Sequence, residues 1–408
     1  MTLSPRRRWL LFALALTAGV LNLVDRQIIS VLKPTIAADL GWSDDDYGTL
    51  AAWFQGGAAV GFLAAGWIVD RLGAKWASAA GVAAWSVMAM THGWATGFTQ
   101  FVGCRIGLGA TESMGTPSGV KTIAALFPPH RRSLGFGLSN AMNSLGAVLA
   151  PLAIPLVAAV WGWRAAFVAA GLLGLVWVLA WLTASRGVDF GDAPPAVPGD
   201  VISTDKAFLR EGRTWTIALA KVLSDATWWL MLFWMPDYFH RVFGLSGTAL
   251  GPPLALAYCG SAVGSLVAGF AANRMMGRGA SADRTRKRLM LVSALCVVPV
   301  PLALHVTSYW PAVALLALAL AGHQGFSTNL FGLIADVTPR YKVGRVTGFG
   351  AFCGNLGGAA ISKISGLVLA AGLGYGPLFG FAAVSYLLAL GWIQLTMPKI
   401  VFADDTGG

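Results

Sequence analysis

The sequence has 408 residues, 56% hydrophobic and 12% charged, with a net charge of +11 and a mean hydropathy of +0.66. Soluble domains carry about a quarter charged residues, so the composition excludes a soluble enzyme, and the apolar excess runs the whole length rather than marking one anchor. The basic balance does not point to nucleic acid either, because its charges fall on one side of the pattern described next.

Apolar stretches occupy residues 9–32, 48–69, 76–97, 99–125, 133–160 and 163–182. After a polar interval they resume at 215–242, 248–272, 289–307, 309–336, 343–370 and 374–396. Each approaches or exceeds the roughly 20 residues that cross a bilayer as a helix, which predicts an all-α polytopic membrane protein of twelve spans. The first stretch follows Arg6, Arg7 and Arg8 without a small-residue cleavage site, and reads as a retained helix. With the N-terminus inside, Arg71, Lys75, Arg131, Arg132, Arg286, Lys287, Arg288, Arg340 and Lys342 fall on the cytoplasmic side. Only Lys33, Arg164 and Arg241 fall in the opposite connections. That asymmetry predicts cytoplasmic termini.

The predicted organisation is two six-helix bundles, 1–182 and 215–408, joined by a cytoplasmic linker at 183–214 that contains Gly187, Gly191, Pro194, Pro195 and Pro198. A short amphipathic piece is expected near Ala207–Arg213. The four cysteines, Cys104, Cys259, Cys296 and Cys353, all fall in predicted helices without metal-ligand spacing. No cofactor motif, nucleophile–base set or metal cluster is apparent, which argues against an enzyme.

Taken in chain order, the polar residues inside the spans are few. The first span carries Asp25 and Arg26, six or seven residues below its outer end; the fourth carries Arg105 at a similar depth and Glu112 two turns farther in. Ionisable residues at such depth are expensive and mark polar cavities, proton paths or structural pairs. Lys221 and Asp225, four apart in the seventh span, read equally as a self-satisfied pair or as a substrate contact. Trp228 and Trp229 lie near mid-membrane, where one is placed to stack on a bound solute. Asn143, Gln324, Asn329 and Asn355 are candidate readers of hydroxyl groups, and Lys363 either meets an anion or snorkels outward.

The segment Gly66-Trp67-Ile68-Val69-Asp70-Arg71-Leu72-Gly73-Ala74-Lys75 resembles the loop signature of the major facilitator superfamily, and a weaker copy ends at Asn273-Arg274. Pro128 with Gly135-Phe136-Gly137, and Pro339 with Gly348-Phe349-Gly350, echo one another in the two halves. Asn22-Leu23-Val24-Asp25-Arg26-Gln27, the Arg105–Glu112 run, Asn140–Gly146 and Lys221-Val222-Leu223-Ser224-Asp225 with Trp228-Trp229 are similar to the anion:cation symporter branch, and to its hexuronate transporters in particular. The resemblance covers essentially all twelve spans. It implies a secondary carrier of glucuronate or galacturonate driven by protons, in a bacterial inner membrane, working as a monomer in the lipid bilayer.

By the same resemblance Arg26 binds the substrate carboxylate, Asp25 and Glu112 are the protonation sites, Arg105 is the electrostatic partner of Glu112 and a further substrate-binding candidate, and Asp70 with Arg71 latches neighbouring helix ends. Which acid dominates coupling stays open. Another sugar acid or organic anion such as an aldonate, moved with different coupling or by exchange, is the nearest alternative.

Overall fold

Helix formation follows the apolar runs, with ends set by local capping. In the computed structural model the structure describes residues 4–127, 129–190, 206–338 and 340–399. Pro128, Pro339, the central part of the expected linker (191–205) and residues 400–408 lie outside the described residues. The same holds for the side chains of Arg131, Arg132, Arg340 and Lys342.

The first helix, α1 (Pro5–Val31), starts where Ser4 accepts a hydrogen bond from the Arg7 amide and Pro5 supplies a ready helical φ. A short α2 (Lys33–Leu40) ends at Gly41. The next helices are α3 (Asp44–Thr91), α4 (Phe98–Glu112), α5 (Gly115–Leu126), α6 (Pro129–Trp161) and α7 (Trp163–Ala184). They are followed by α8 (Gly212–Phe243), α9 (Gly251–Gly277), α10 (Ala282–Val297), α11 (Tyr309–Val337), α12 (Arg340–Ala370) and α13 (Gly376–Thr396). Among the described residues there is no strand.

Among the described residues, length and apolarity alone single out nine helical stretches able to cross a membrane. All twelve predicted spans are nonetheless helical. One stretch, α3, contains two spans that turn at Gly73, whose φ of 75° is a conformation only glycine adopts without strain. The fourth span is broken into α4 and α5 at Ser113–Met114, and the tenth, α11, carries more polar residues than a simple apolar criterion allows. The expected amphipathic piece is a 3₁₀ turn at Lys206–Arg210 leading into α8.

The chain forms two compact units. Unit 1 takes Met1–Trp42, Trp53–Thr204 and Ser246–Gly251; unit 2 takes Ser43–Ala52, Asp205–Leu245 and Pro252–Gly408. Within unit 1, α1 packs on α6 and α7. The α3–α4 contact is made by small residues at four-residue spacing, the close-approach pattern of membrane helices. A Cβ on Gly57 would sit 2.4 Å from the Ile106 carbonyl, and one on Gly109 would sit 2.1 Å from that of Phe54. Because both obstacles are backbone, Gly109→Ala is expected to destabilise unit 1 by about 1–3 kcal/mol, read as a lower melting temperature in detergent. Unit 2 repeats the device, with Gly260 and Gly264 of α9 against the backbone of Ala317 and Ala321 in α11.

At the end of unit 1 nearest α2, Asp39 accepts hydrogen bonds at 3.0 Å from both the Trp163 indole and the Arg164 guanidinium. The Trp163 bond first, and Arg164 second, hold the Asp39 carboxyl below its usual range. A lowered acid contributes its stability above the ordinary aspartate pKa of about 3.9 and loses it as pH falls through the native value. The melting difference between wild type and Asp39→Asn is therefore expected to be flat from pH 5 to 8 and to shrink only in stronger acid.

In unit 2, α8 packs on α12 and α13, and α10 packs on α11. Residues 43–52 dock there through ion pairs. Arg241 bonds Asp44 and, at 2.7 Å, the buried Asp237, while the Tyr375 hydroxyl donates to Asp237 at 2.5 Å. Lys363, expected to snorkel or to meet an anion, instead pairs with Asp45 and donates to Thr49 at 2.9 Å.

Candidate functional site

A cavity of about 260 Å³ opens within unit 1 between α1, α3, α5, α6 and α7. That is slightly below the roughly 300–1,000 Å³ of sites for drug-sized ligands, a size for a solute no larger than a monosaccharide. Its polar wall is made by Asn22 and Arg26 of α1, Ser78 of α3, Ser118 and Thr122 of α5, and Ser139 and Asn143 of α6. Trp85 and Trp177 supply the aromatic surface. The Trp177 indole is spent on the Leu14 carbonyl at 2.8 Å and on Thr17 at 3.1 Å, which fixes the ring's orientation.

Arg26 is the hinge between this cavity and a sealed charge cluster. Its Nε donates to Glu112 Oε2 at 2.5 Å; the arginine side chain keeps 16% exposure and the glutamate none. Asn22, one turn before Arg26, also neighbours Glu112. The Phe54 ring lies under two guanidinium groups, with Arg105 at 4.3 Å and Arg26 at 5.7 Å from its centroid. Asp25, Arg105 and Glu112 are buried and lie outside the cavity wall. The cluster holds two acids and two arginines, so its formal charge is balanced. Of the four charged groups, Arg26 is the one that reaches the cavity wall.

Arg105 acts electrostatically on Glu112, as expected, and the guanidinium at hydrogen-bond distance from Glu112 is that of Arg26. The same helix carries Arg105 and Glu112, but the close α3–α4 contact holds Arg105 over Phe54. Arg105, expected to touch substrate, is therefore behind the wall. Asn143 does line the cavity, beside Gly19.

The other expected substrate residues belong to unit 2 and have local commitments. Trp228 stacks on His323 at 4.9 Å and Trp229 on Phe233 at 5.6 Å. Asn329 donates to the Gly325 carbonyl at 2.9 Å and Asn355 to that of Ala351 at 2.8 Å. Gln324 is partly exposed, and its backbone carbonyl accepts from the Thr328 hydroxyl at 2.7 Å. In the loop motif Asp70 accepts from Lys121 of α5 at 3.4 Å, while Arg71 lies over the Trp67 ring at 4.3 Å. Asp70 thus reaches a lysine the sequence reading did not nominate. Asn22 and Trp85 were likewise missed; Asn22 had a signal, being four residues before Arg26 and hence on its face.

The sequence matches the family described as Major Facilitator Superfamily over residues 15–362. It is 25% identical to the hexuronate transporter of Escherichia coli strain K12, over 98% of this chain and 96% of that one. It is 24% identical to the D-galactonate transporter of Escherichia coli O6:H1, over 96% of each. In fold it is similar to a bacterial homologue of the human lysosomal transporter Spinster, solved inward-facing and occupied. That similarity has a TM-score of 0.76 at 18% identity over 100% of both chains.

Proposed function

The chain belongs to the major facilitator superfamily, and on that premise we propose that it is a secondary active transporter importing hexuronates, glucuronate or galacturonate, by proton symport across a bacterial inner membrane. The observation that carries the reading is the Arg26–Glu112 pair at the wall of a polar cavity of monosaccharide size. Arginine offers a carboxylate two directed donors, and Asn22, Asn143 and the hydroxyl side chains around it are matched to a sugar's hydroxyl groups. Trp85 and Trp177 present ring faces to its C–H surface.

Coupling follows from charge balance. The cluster is formally neutral, and admitting one anion leaves one uncompensated negative charge in a buried, low-dielectric place. A lone buried charge costs several kcal/mol, and a proton on the acid that Arg26 has left removes that cost. The account therefore assigns the substrate carboxylate to Arg26 and the proton to Glu112, with Asp25 and Arg105 setting the field around them. Asp70 and Arg71, with Lys121 paired to Asp70, are assigned to the conformational latch. Both termini are assigned to the cytoplasm from the placement of the Lys and Arg residues.

A second reading, transport of an aldonate, is favoured by the similarity to galactonate transporters. Competition separates the two. Uptake of labelled glucuronate by purified protein in liposomes is expected to be suppressed by galacturonate more than by galactonate. The reverse order would assign the cavity to open-chain acids.

A further inference from the structure

Unit 2 contains an ion pair within a membrane helix, largely withdrawn from solvent, for which the Arg26–Glu112 chemistry has no use. On α8, Lys221 Nζ lies 2.7 Å from Asp225 Oδ2 and donates to Oδ1 at 3.0 Å, where Ser224 also donates at 3.3 Å. Lys221 and Asp225 are one turn apart on a single helix, so the pair ties no two elements together. Such pairs stabilise exposed helices by about 0.2–0.5 kcal/mol, whereas withdrawing two ions from water costs several kcal/mol each. A structural role does not repay that cost. Inside a membrane helix, ionisable groups that persist against it mark ligand or ion sites.

The pair is not fully enclosed. The lysine and aspartate side chains retain 9% and 15% exposure, so a small solute has an edge to approach. Facing them, α12 presents Gly350 and Gly354, and a Cβ at Gly354 would sit 2.2 Å from the Asp225 carboxylate. The ammonium also lies 4.9 Å from the centre of the Phe331 ring of α11, an aromatic face that favours a cation without neutralising it. The titratable groups within electrostatic reach are His323 of α11 and Tyr386 of α13. These are tied elsewhere: His323 Nδ1 lies 2.6 Å from the Tyr386 hydroxyl, which donates to the Ser224 carbonyl at 2.9 Å. Asp225 is thus the built-in counterion of Lys221.

We propose that Lys221 is a second anion-binding cation, held in reserve by Asp225, and that the carboxylate of an organic anion replaces Asp225 on its ammonium group. This rests on the reading of the chain as an organic-anion carrier, and adds to it a binding residue in unit 2.

Calorimetric titration of the purified full-length protein with glucuronate tests it, with thermal melts run alongside. Lys221→Gln is expected to weaken binding by about tenfold or more, the usual scale for losing a charge-assisted contact. Asp225→Asn removes the internal competitor and is expected to tighten binding by about threefold or more. The double variant leaves no unpaired charge, so it keeps the fold and is expected to bind as weakly as Lys221→Gln. Wild-type affinity in a folded Lys221→Gln or double variant overturns the assignment while leaving the carrier reading intact. Equal weakening by Asp225→Asn also overturns it, because the pair would then act as one structural unit. Silence of the wild type overturns the carrier reading for this substrate, and this inference with it.

Discussion

Glu112→Gln protein in liposomes is expected to exchange labelled for unlabelled sugar acid, yet fail to concentrate it under an inward proton gradient. For a carrier moving one proton per anion, each pH unit across the membrane supports an accumulation of up to about tenfold. The variant should hold the internal concentration near the external one. The reason lies in the geometry. Glutamine preserves the size of the side chain and still offers Arg26 an acceptor, so the cavity wall stays in place. It cannot take up and release a proton, so the cluster no longer changes charge as the anion enters and leaves. Binding and reorientation survive, and the link to the gradient does not. Full accumulation by the variant would move the coupling role to Asp25.

Arg26→Ala is expected to raise the dissociation constant for glucuronate by about a hundredfold or more, a loss of about 3 kcal/mol or more. It should also destabilise unit 1 by about 3–5 kcal/mol, because it strands a fully buried carboxylate, Glu112, without its guanidinium. The two effects are separable. Arg26→Ala combined with Glu112→Gln removes both charges, and should recover most of the melting temperature while leaving affinity low. An Arg26→Ala protein that binds normally would take Arg26 out of the substrate site. A double variant that regained affinity as well as stability would mean that Arg26 serves only to neutralise Glu112.

Much of the fold was legible because apolar length is a strong signal in a membrane chain. All twelve predicted spans are helical, including those that simple apolarity misses, and the motif glycine Gly73 marks the turn inside α3. The break between α4 and α5 at Ser113–Met114 had its signal in Pro117, which cannot donate to the Ser113 carbonyl four residues back, and in the neighbouring Gly115. At the site, the presence of Asp25, Arg26, Arg105 and Glu112 was readable from their cost in an apolar setting. Their pairing was legible only in part. The resemblance made Arg105 the electrostatic partner of Glu112, whereas packing across helices also brings Arg26 to hydrogen-bond distance, and a helical wheel carries no information about the neighbouring helix.

The aromatic residues show the same limit. With 17 tryptophans in the chain, proximity to mid-membrane could not separate Trp228, stacked on His323, and Trp229, stacked on Phe233, from the Trp85 and Trp177 that line the unit 1 cavity. Lys121 escaped notice because its partner, Asp70, lies 51 positions away in sequence. The halves of the chain proved more alike in packing than in motif, since the glycine contacts of α3 with α4 recur between α9 and α11.

The central claim is proton-coupled hexuronate import, and one measurement meets it directly: uptake of radiolabelled glucuronate by the purified protein in liposomes, with and without an inward proton gradient. The account predicts saturable uptake that rises above equilibrium only when the gradient is present and collapses when a protonophore is added. Uptake by folded protein that equilibrates to the same level in both conditions would contradict it.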